Sequence, residues 1–437
     1  MDMEEMEALR VFRDMIRIPS VTGSPGEADI CSYIEALLSR YGIGTERISR
    51  SEDRPNLLAA VRAAHPTEPP LVLISHVDVV PADRERWSHD PFGAEEDEGR
   101  IWGRGTLDTK HLTAMELYAL IRLRGHEDEL NRDVYLLATV DEEKGSAWGM
   151  GYVRKARPEL FERAVVINEG GGFPLRINGK DYITITVGEK AVCRARLWAE
   201  GTPGHASAPT PDQAMLKLAR GLRRIFAREA ELTCGSLSTW NAMREVAGTE
   251  PWDDPTASDI LGYASRSAIS MRNYTIGVKS NVIPAAAEAV LEFRLLPFAA
   301  AADVEAYLAR CLEGCEVRFE ILGYEDGMES GFGDPGFRRL IGILSDACGR
   351  AGFEGGLLPM LALGRTDGRF FAGADSAVYG CSPLLMGDSF GAVLPRVHGD
   401  DESILVESFR FGSRVLDETI AELCGVSRRA CGQEVAE

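Results

Sequence analysis

Three apolar runs in this chain each end abruptly in polar or charged residues, and that pattern restricts the fold more than any other feature. Leu71-Val72-Leu73-Ile74-Ser75 runs into His76-Val77-Asp78. Val134-Tyr135-Leu136-Leu137-Ala138-Thr139-Val140 runs into Asp141-Glu142-Glu143, and Ala164-Val165-Val166-Ile167-Asn168 into Glu169-Gly170-Gly171-Gly172. Short continuous apolar runs suit strands buried on both faces of a sheet. Leu57–Val61 reads as a further strand, and Glu5–Ile16, Ala28–Tyr41 and Leu112–Leu123 have helical spacing. Alternating strands and helices give an α/β sheet with helices on both faces. In such sheets ligands gather at the carboxyl ends of the strands, so the polar ends of the three runs should share one pocket.

The character of the chain changes near Val187. Ala191–Glu200 and Ala287–Leu295 read as strands, and Ala214–Ala230 and Ala302–Leu312 as amphipathic helices. From Gly331 the earlier pattern returns, with helices Phe337–Ala351 and Glu407–Cys424. The expected organisation is a catalytic domain in two parts, 1–188 and 326–437, with an inserted domain at 189–325. The tail after Arg428 is expected to be loosely held.

The polar residues have a shared chemistry. The alternation of His76-Val77-Asp78 places His76 and Asp78 on one face, and a carboxylate beside a ligating imidazole is a common arrangement. Asp108, in Trp102-Gly103-Arg104-Gly105-Thr106-Leu107-Asp108, precedes the helix near Leu112. Consecutive carboxylates at 141–143 repel one another unless water or cations screen them. His398 lies in Arg396-Val397-His398-Gly399-Asp400-Asp401-Glu402, before the last helix. Each has an ordinary alternative: a strand-end histidine in a hydrogen bond, an N-terminal cap for Asp108, a solvated acidic turn. Together they form an oxygen and nitrogen donor set without thiolates, which suits Zn²⁺, Co²⁺ or Mn²⁺. No phosphate-binding loop is present, which argues against a nucleotide-dependent transferase.

The formal charge of −20 excludes electrostatic attraction to nucleic acid or an anionic membrane. No apolar stretch approaches the roughly 20 residues of a membrane span. The N-terminus is acidic and amphipathic rather than signal-like, so a cytoplasmic location is expected. The nine cysteines include no CxxC pair and are expected to be free and mostly buried.

Eight stretches in order, HVDVVPA, W..DPFGA, GRGTLDTK, DEEKGS, NEGGG, PGHASAP, SNVIP and RVHGDDE, resemble the motifs of the M20 metallopeptidase family. The resemblance extends roughly from Ile18 to Phe411. It implies a di-metal hydrolase domain with a mixed central sheet flanked by helices, plus an inserted α+β lid or dimerisation domain. His76, Asp108 and Glu169 would bind one divalent ion and Asp108, Glu143 and His398 the other, with zinc expected and cobalt or manganese as alternatives. Asp78 would orient His76, Glu142 would be general base and acid, and the Asp108–Thr109 peptide would be cis. In the insertion, His205 resembles the lid histidine that reaches the substrate oxyanion, and Asn281 and Arg294 resemble a pair that binds the substrate's carboxylate or the intermediate. Asp367 and Arg369, in Thr366-Asp367-Gly368-Arg369-Phe370, resemble a substrate-pocket stretch, with a structural ion pair as the alternative. Glu rather than Asp at 169 resembles the deacylase and dipeptidase members, and Thr233–Ser270 matches none of the motifs.

The implied activity is metal-dependent hydrolysis of a small peptide or an N-acyl amino acid, by a homodimer joined through the lid. A desuccinylase or deacetylase of an amino-acid intermediate shares the same metal chemistry. A non-catalytic binding protein would be expected to have lost a ligand or the base, and none is lost here.

Overall fold

The architecture comes from a computed structural model, which describes residues 3–232, 238–248, 252–276, 281–331, 335–373 and 375–426. The tail after Arg428, Cys234 and Cys431 lie outside the described residues; the other seven cysteines are free and buried. Two compact units form. The first contains Met1–Val187, Ala242–Ser258 and Ser330–Glu437; the second contains Gly188–Asn241 and Asp259–Glu329.

Seven strands of a ten-stranded sheet frame the first unit: β1 (Thr45–Ile48), β2 (Asn56–Val61), β3 (Leu71–His76), β4 (Val134–Thr139), β5 (Val165–Asn168), β6 (Lys180–Glu189) and β7 (Ala377–Gly380). Their order across the sheet is β1-β2-β4-β3-β5-β7-β6. The central pairs β4–β3, β3–β5 and β5–β7 are parallel, while β1–β2, β2–β4 and β7–β6 are antiparallel. The sheet is therefore mixed. Every residue of β3 and β4 is buried, as parallel strands covered on both faces require. Helices α1 (Met3–Ile16), α2 (Gly26–Arg40), α3 (Lys110–Leu123), α4 (Pro335–Arg350) and α5 (Val406–Leu423) supply the apolar cover. Phe12, Ile34, Leu117, Leu344 and Val415 join Leu71, Leu73 and Leu136 in one core.

The second unit is an antiparallel sheet in the order 268–276, 286–295, 191–200, 318–325. Its buried face alternates along the strands, with Ala191, Cys193, Ala195 and Leu197 facing Leu218 and Ile225 of helix Ala214–Ala227 and Val304 and Leu308 of helix Ala301–Leu312. Strands 268–276 and 318–325 were not expected from the sequence. Met271 to Thr275 are exposed without alternation, so no period-two pattern marks that strand. Ala242–Ser258 packs within the first unit, where the Tyr182 hydroxyl donates to the Val246 carbonyl at 3.3 Å.

The glycines after Glu169 admit the chain's own backbone. A Cβ on Gly171 would lie 2.2 Å from the Gly380 carbonyl oxygen, and one on Gly172, whose φ is +99°, would lie 2.1 Å from Ser382. The main chains bond across this approach, from Ser382 N–H to Gly171 and from Leu384 N–H to Gly172, at 3.0 and 2.9 Å. Gly172→Ala is expected to lower stability by roughly 2–5 kcal/mol, the sum of the left-handed conformation and overpacking. Urea unfolding measures it; a change within about 0.5 kcal/mol, as at an unconstrained surface site, would contradict this reading.

Candidate metal centre

Register brings the polar strand ends together. His76 on β3 pairs with Thr139 on β4, and Leu73 with Ile167 on β5. The carboxyl ends of three adjacent parallel strands therefore form one edge. His76 is the last residue of β3, and Glu169 follows β5 directly. After β4 the chain turns through Asp141, in the left-handed region at φ 67°, into a short 3₁₀ turn carrying Glu142 and Glu143. Arg54 pairs with Asp141 at 2.7 Å, and Lys144 donates to the Thr22 carbonyl at 3.0 Å, so both ends of this turn are anchored.

Asp108 does not cap α3. Thr109 occupies the cap position without a side-chain bond. Asp108 instead divides its two oxygens: Oδ1 lies 3.0 Å from His76 Nε2, and Oδ2 lies 3.0 Å from His398 Nε2. Glu169 stands 3.6 Å from His76, and Glu143 stands 2.9 Å from His398. Two trios result, His76–Asp108–Glu169 and Asp108–Glu143–His398; in each, one ligand atom per residue lies within 4.8 Å of the others. The Asp108–Thr109 peptide is cis. His76 is 1% exposed and His398 53%, so one imidazole is buried and the other open to solvent.

The electrostatics follow from this crowding. Burial disfavours the charged His76 ring, but Glu169 and Asp108 outweigh it and hold the imidazole well above its usual range. The carboxylates of Asp108 and Glu143 push His398 up to about 10. Burial opposes the charge on Asp108, yet the two histidines hold it below the usual carboxylate range. Glu142 shows the opposite result. Burial, then the Glu169 charge, push its carboxyl well above the ordinary range, against His76 and Arg369.

Asp78 acts on His76 chiefly through its main chain. His76 Nδ1 donates to the Asp78 carbonyl at 2.9 Å, whereas the carboxylate is 3.7 Å away. That bond fixes the ring so that Nε2 points at the trio. The Asp78 carboxylate accepts from the Thr22 hydroxyl at 2.8 Å and the Glu142 N–H at 3.1 Å, and so supports the turn bearing Glu142. Thr22 lay unmarked in the sequence, since nothing in a lone threonine signals its partner.

Asp367 and Arg369 also back this turn. Asp367 is buried and accepts from the Thr139 hydroxyl at 2.8 Å and from the Ser146 hydroxyl. Arg369 donates to the Thr366 carbonyl at 2.6 Å and to Ser146 Oγ at 2.8 Å, with Nη1 3.4 Å from Glu142 Oε1. The Asp367–Arg369 separation is 4.0 Å.

His205, Asn281 and Arg294 belong to the second unit. His205 pairs with Val282 in a two-stranded ribbon, and Ala206 N–H donates to the Asn281 carbonyl at 3.1 Å, so His205 and Asn281 share one feature. Exposed His205 bonds through Nδ1 to Ser207 Oγ at 2.7 Å. Arg294, on strand 286–295, is ion-paired with Glu292 at 3.0 Å.

Residues 72–422 match peptidase family M20/M25/M40. Among curated relatives, human aminoacylase-1 is 28% identical over 297 residues, 67% of each chain. The human N-fatty-acyl-amino acid synthase/hydrolase PM20D1 is 25% identical over 449 residues, covering 95% of this chain and 88% of the relative. Among solved structures, the M20 family metallo-carboxypeptidase Sso-CP2 from Sulfolobus solfataricus superposes with a TM-score of 0.71 at 17% identity, over 96% of this chain and 99% of that one.

Asp367→Ala removes the acceptor used by two hydroxyls and is expected to destabilise the protein by about 1–3 kcal/mol. An unchanged urea midpoint with a raised KM would instead make Asp367 a substrate contact.

Proposed function

The chain belongs to peptidase family M20/M25/M40, and from that premise we propose that it is a metal-dependent hydrolase cleaving the amide bond of an N-acyl amino acid or short peptide. The observation that carries the reading is the pair of trios sharing Asp108, with Glu142 next to Glu143 on one turn and close enough to Glu169 and His76 to feel their charges. The donor chemistry fits two divalent ions. Three carboxylates and two imidazole nitrogens converge, and buried Glu143 Oε1 has no hydrogen-bond partner among the described residues. His76, Asp108 and Glu169 would hold one ion and Asp108, Glu143 and His398 the other, with zinc the expected metal and cobalt or manganese alternatives. When bound, such a pair supplies Lewis acidity that acidifies water and polarises a carbonyl.

The protein's own groups do the rest. Glu142 takes the proton of the attacking water and returns it to the leaving amine. Its raised pKa favours the second half of that cycle, and Arg369 limits the rise. His205 and Asn281 are assigned to hydrogen-bond the oxyanion. Arg294, released from Glu292, is assigned to the substrate carboxylate, which its planar fork matches.

N-acyl amino acids are placed first because the sequence relatives include aminoacylase-1 and PM20D1; a short peptide is the second class, and a desuccinylase or deacetylase of a biosynthetic intermediate a narrower form of the first. A homodimer through the second unit is proposed on its edge strand 268–276, where Met271 and Tyr274 stand exposed.

Glu142→Gln is expected to keep both metal equivalents and lose about 10²–10⁴ in kcat on N-acyl amino acids. Near-normal turnover in that variant would remove the base assignment. His205→Ala is expected to reduce kcat by about 10²–10³ with metal content unchanged; an unaltered kcat would rule out its oxyanion role. Inactivity of the zinc-loaded protein on N-acyl amino acids and dipeptides alike would favour a binding protein that keeps the fold.

A further inference from the structure

The two loops that carry Asp108 and His398 come from distant parts of the sequence, and one buried ion pair joins them. Arg104 Nη1 lies 2.7 Å from Glu402 Oε2, with the side chains 3% and 0% exposed. The Glu402 carboxylate gathers the main chain around Asp108. Its Oε1 accepts from the N–H groups of Leu107 and Asp108 at 2.6 and 3.1 Å, and its Oε2 accepts from Gly105 N–H at 3.2 Å. Arg104 works toward the other loop. Its Nη2 donates to the carbonyl of Gly399, the residue after His398, at 2.7 Å. The guanidinium also lies over the Trp87 ring, 5.1 Å from its centroid.

A buried ion pair is a weak source of stability, because well-packed apolar residues of similar volume often do as well. Apolar residues could not bind three N–H groups of one loop and a carbonyl of the other. We propose that Arg104 and Glu402 are positioning residues that set the spacing of the two metal-binding trios: Glu402 fixes Asp108, and Arg104 fixes His398. The inference rests on the two-metal reading above. It has an asymmetric consequence, because Asp108 belongs to both trios and His398 to one. Disturbing Glu402 affects both metal equivalents; disturbing only the reach of Arg104 to Gly399 affects one.

The test is calorimetric titration of the metal-free full-length protein with zinc, alongside its thermal midpoint. Wild type should take up two equivalents. Glu402→Gln should weaken both by roughly 10–100-fold, the range seen when a group supporting a metal ligand is removed. Arg104→Lys keeps a positive charge beside Glu402 but cannot reproduce the forked contact with Gly399. It should weaken one equivalent by at least about 10-fold and leave the other at the wild-type value. General destabilisation would not produce that split, so Arg104→Lys decides the matter even if Glu402→Gln does not fold. Two wild-type affinities in Arg104→Lys, or equal weakening of both, would overturn the clamp alone. Uptake of fewer than two equivalents by wild type would overturn the two-metal reading, and the clamp with it.

Discussion

Mutual repulsion among carboxylates governs the polar edge of the first unit. Asp78, Asp108, Glu142, Glu143 and Glu169 meet at the ends of three adjacent strands, in surroundings that burial makes poor at stabilising charge. The chain answers some of this charge internally. Arg54 pairs with Asp141, Arg369 stands by Glu142, and Asp78 takes hydrogen bonds from Thr22 and the Glu142 amide. Asp108, Glu143 and Glu169 are paired with His76 and His398. The balance left over is negative, and it lies where two divalent cations would neutralise it.

That balance also explains why the network behind the edge is so fully bonded. Asp367 ties Ser146 to Thr139, so the turn carrying Glu142 is fixed at both its entry and its exit. The proton-transfer role proposed for Glu142 requires a group that keeps its place while its charge changes, and an anchored turn suits that. The second unit meets no such demand: His205 is exposed on a short ribbon and Arg294 is held by Glu292.

Parts of the centre were legible in the sequence for a definite reason. His76, Glu142, Glu143 and Glu169 each follow a continuous apolar run, and parallel pairing turns that local signal into spatial neighbourhood. Asp108 carried no such signal, since an acid ahead of a helix reads as a cap; only its place in an ordered set of motifs identified it. Arg104 and Glu402 stand within two of the quoted motifs, but their bonds were illegible because the main-chain partners lie about 300 positions away. Strand 268–276 escaped notice because exposure on both faces erases the alternation that marks a strand. The family match over residues 72–422 agrees with the ordered motifs.

The position of β7 affects how the protein must be made. It lies between β5 and β6 although it is translated long after both, with the second unit intervening. During synthesis the first six strands emerge while the slot between β5 and β6 is empty. The nascent sheet therefore carries an apolar, unpaired edge at β5 until Ala377–Gly380 leaves the ribosome, and only then can Ser382 close on Gly172 and seat the Glu169 loop. A chain terminated before that point would keep the open edge, a template for aggregation. Completion of the candidate metal centre is thus tied to translation of the last part of the chain, since both Ala377–Gly380 and His398 lie there.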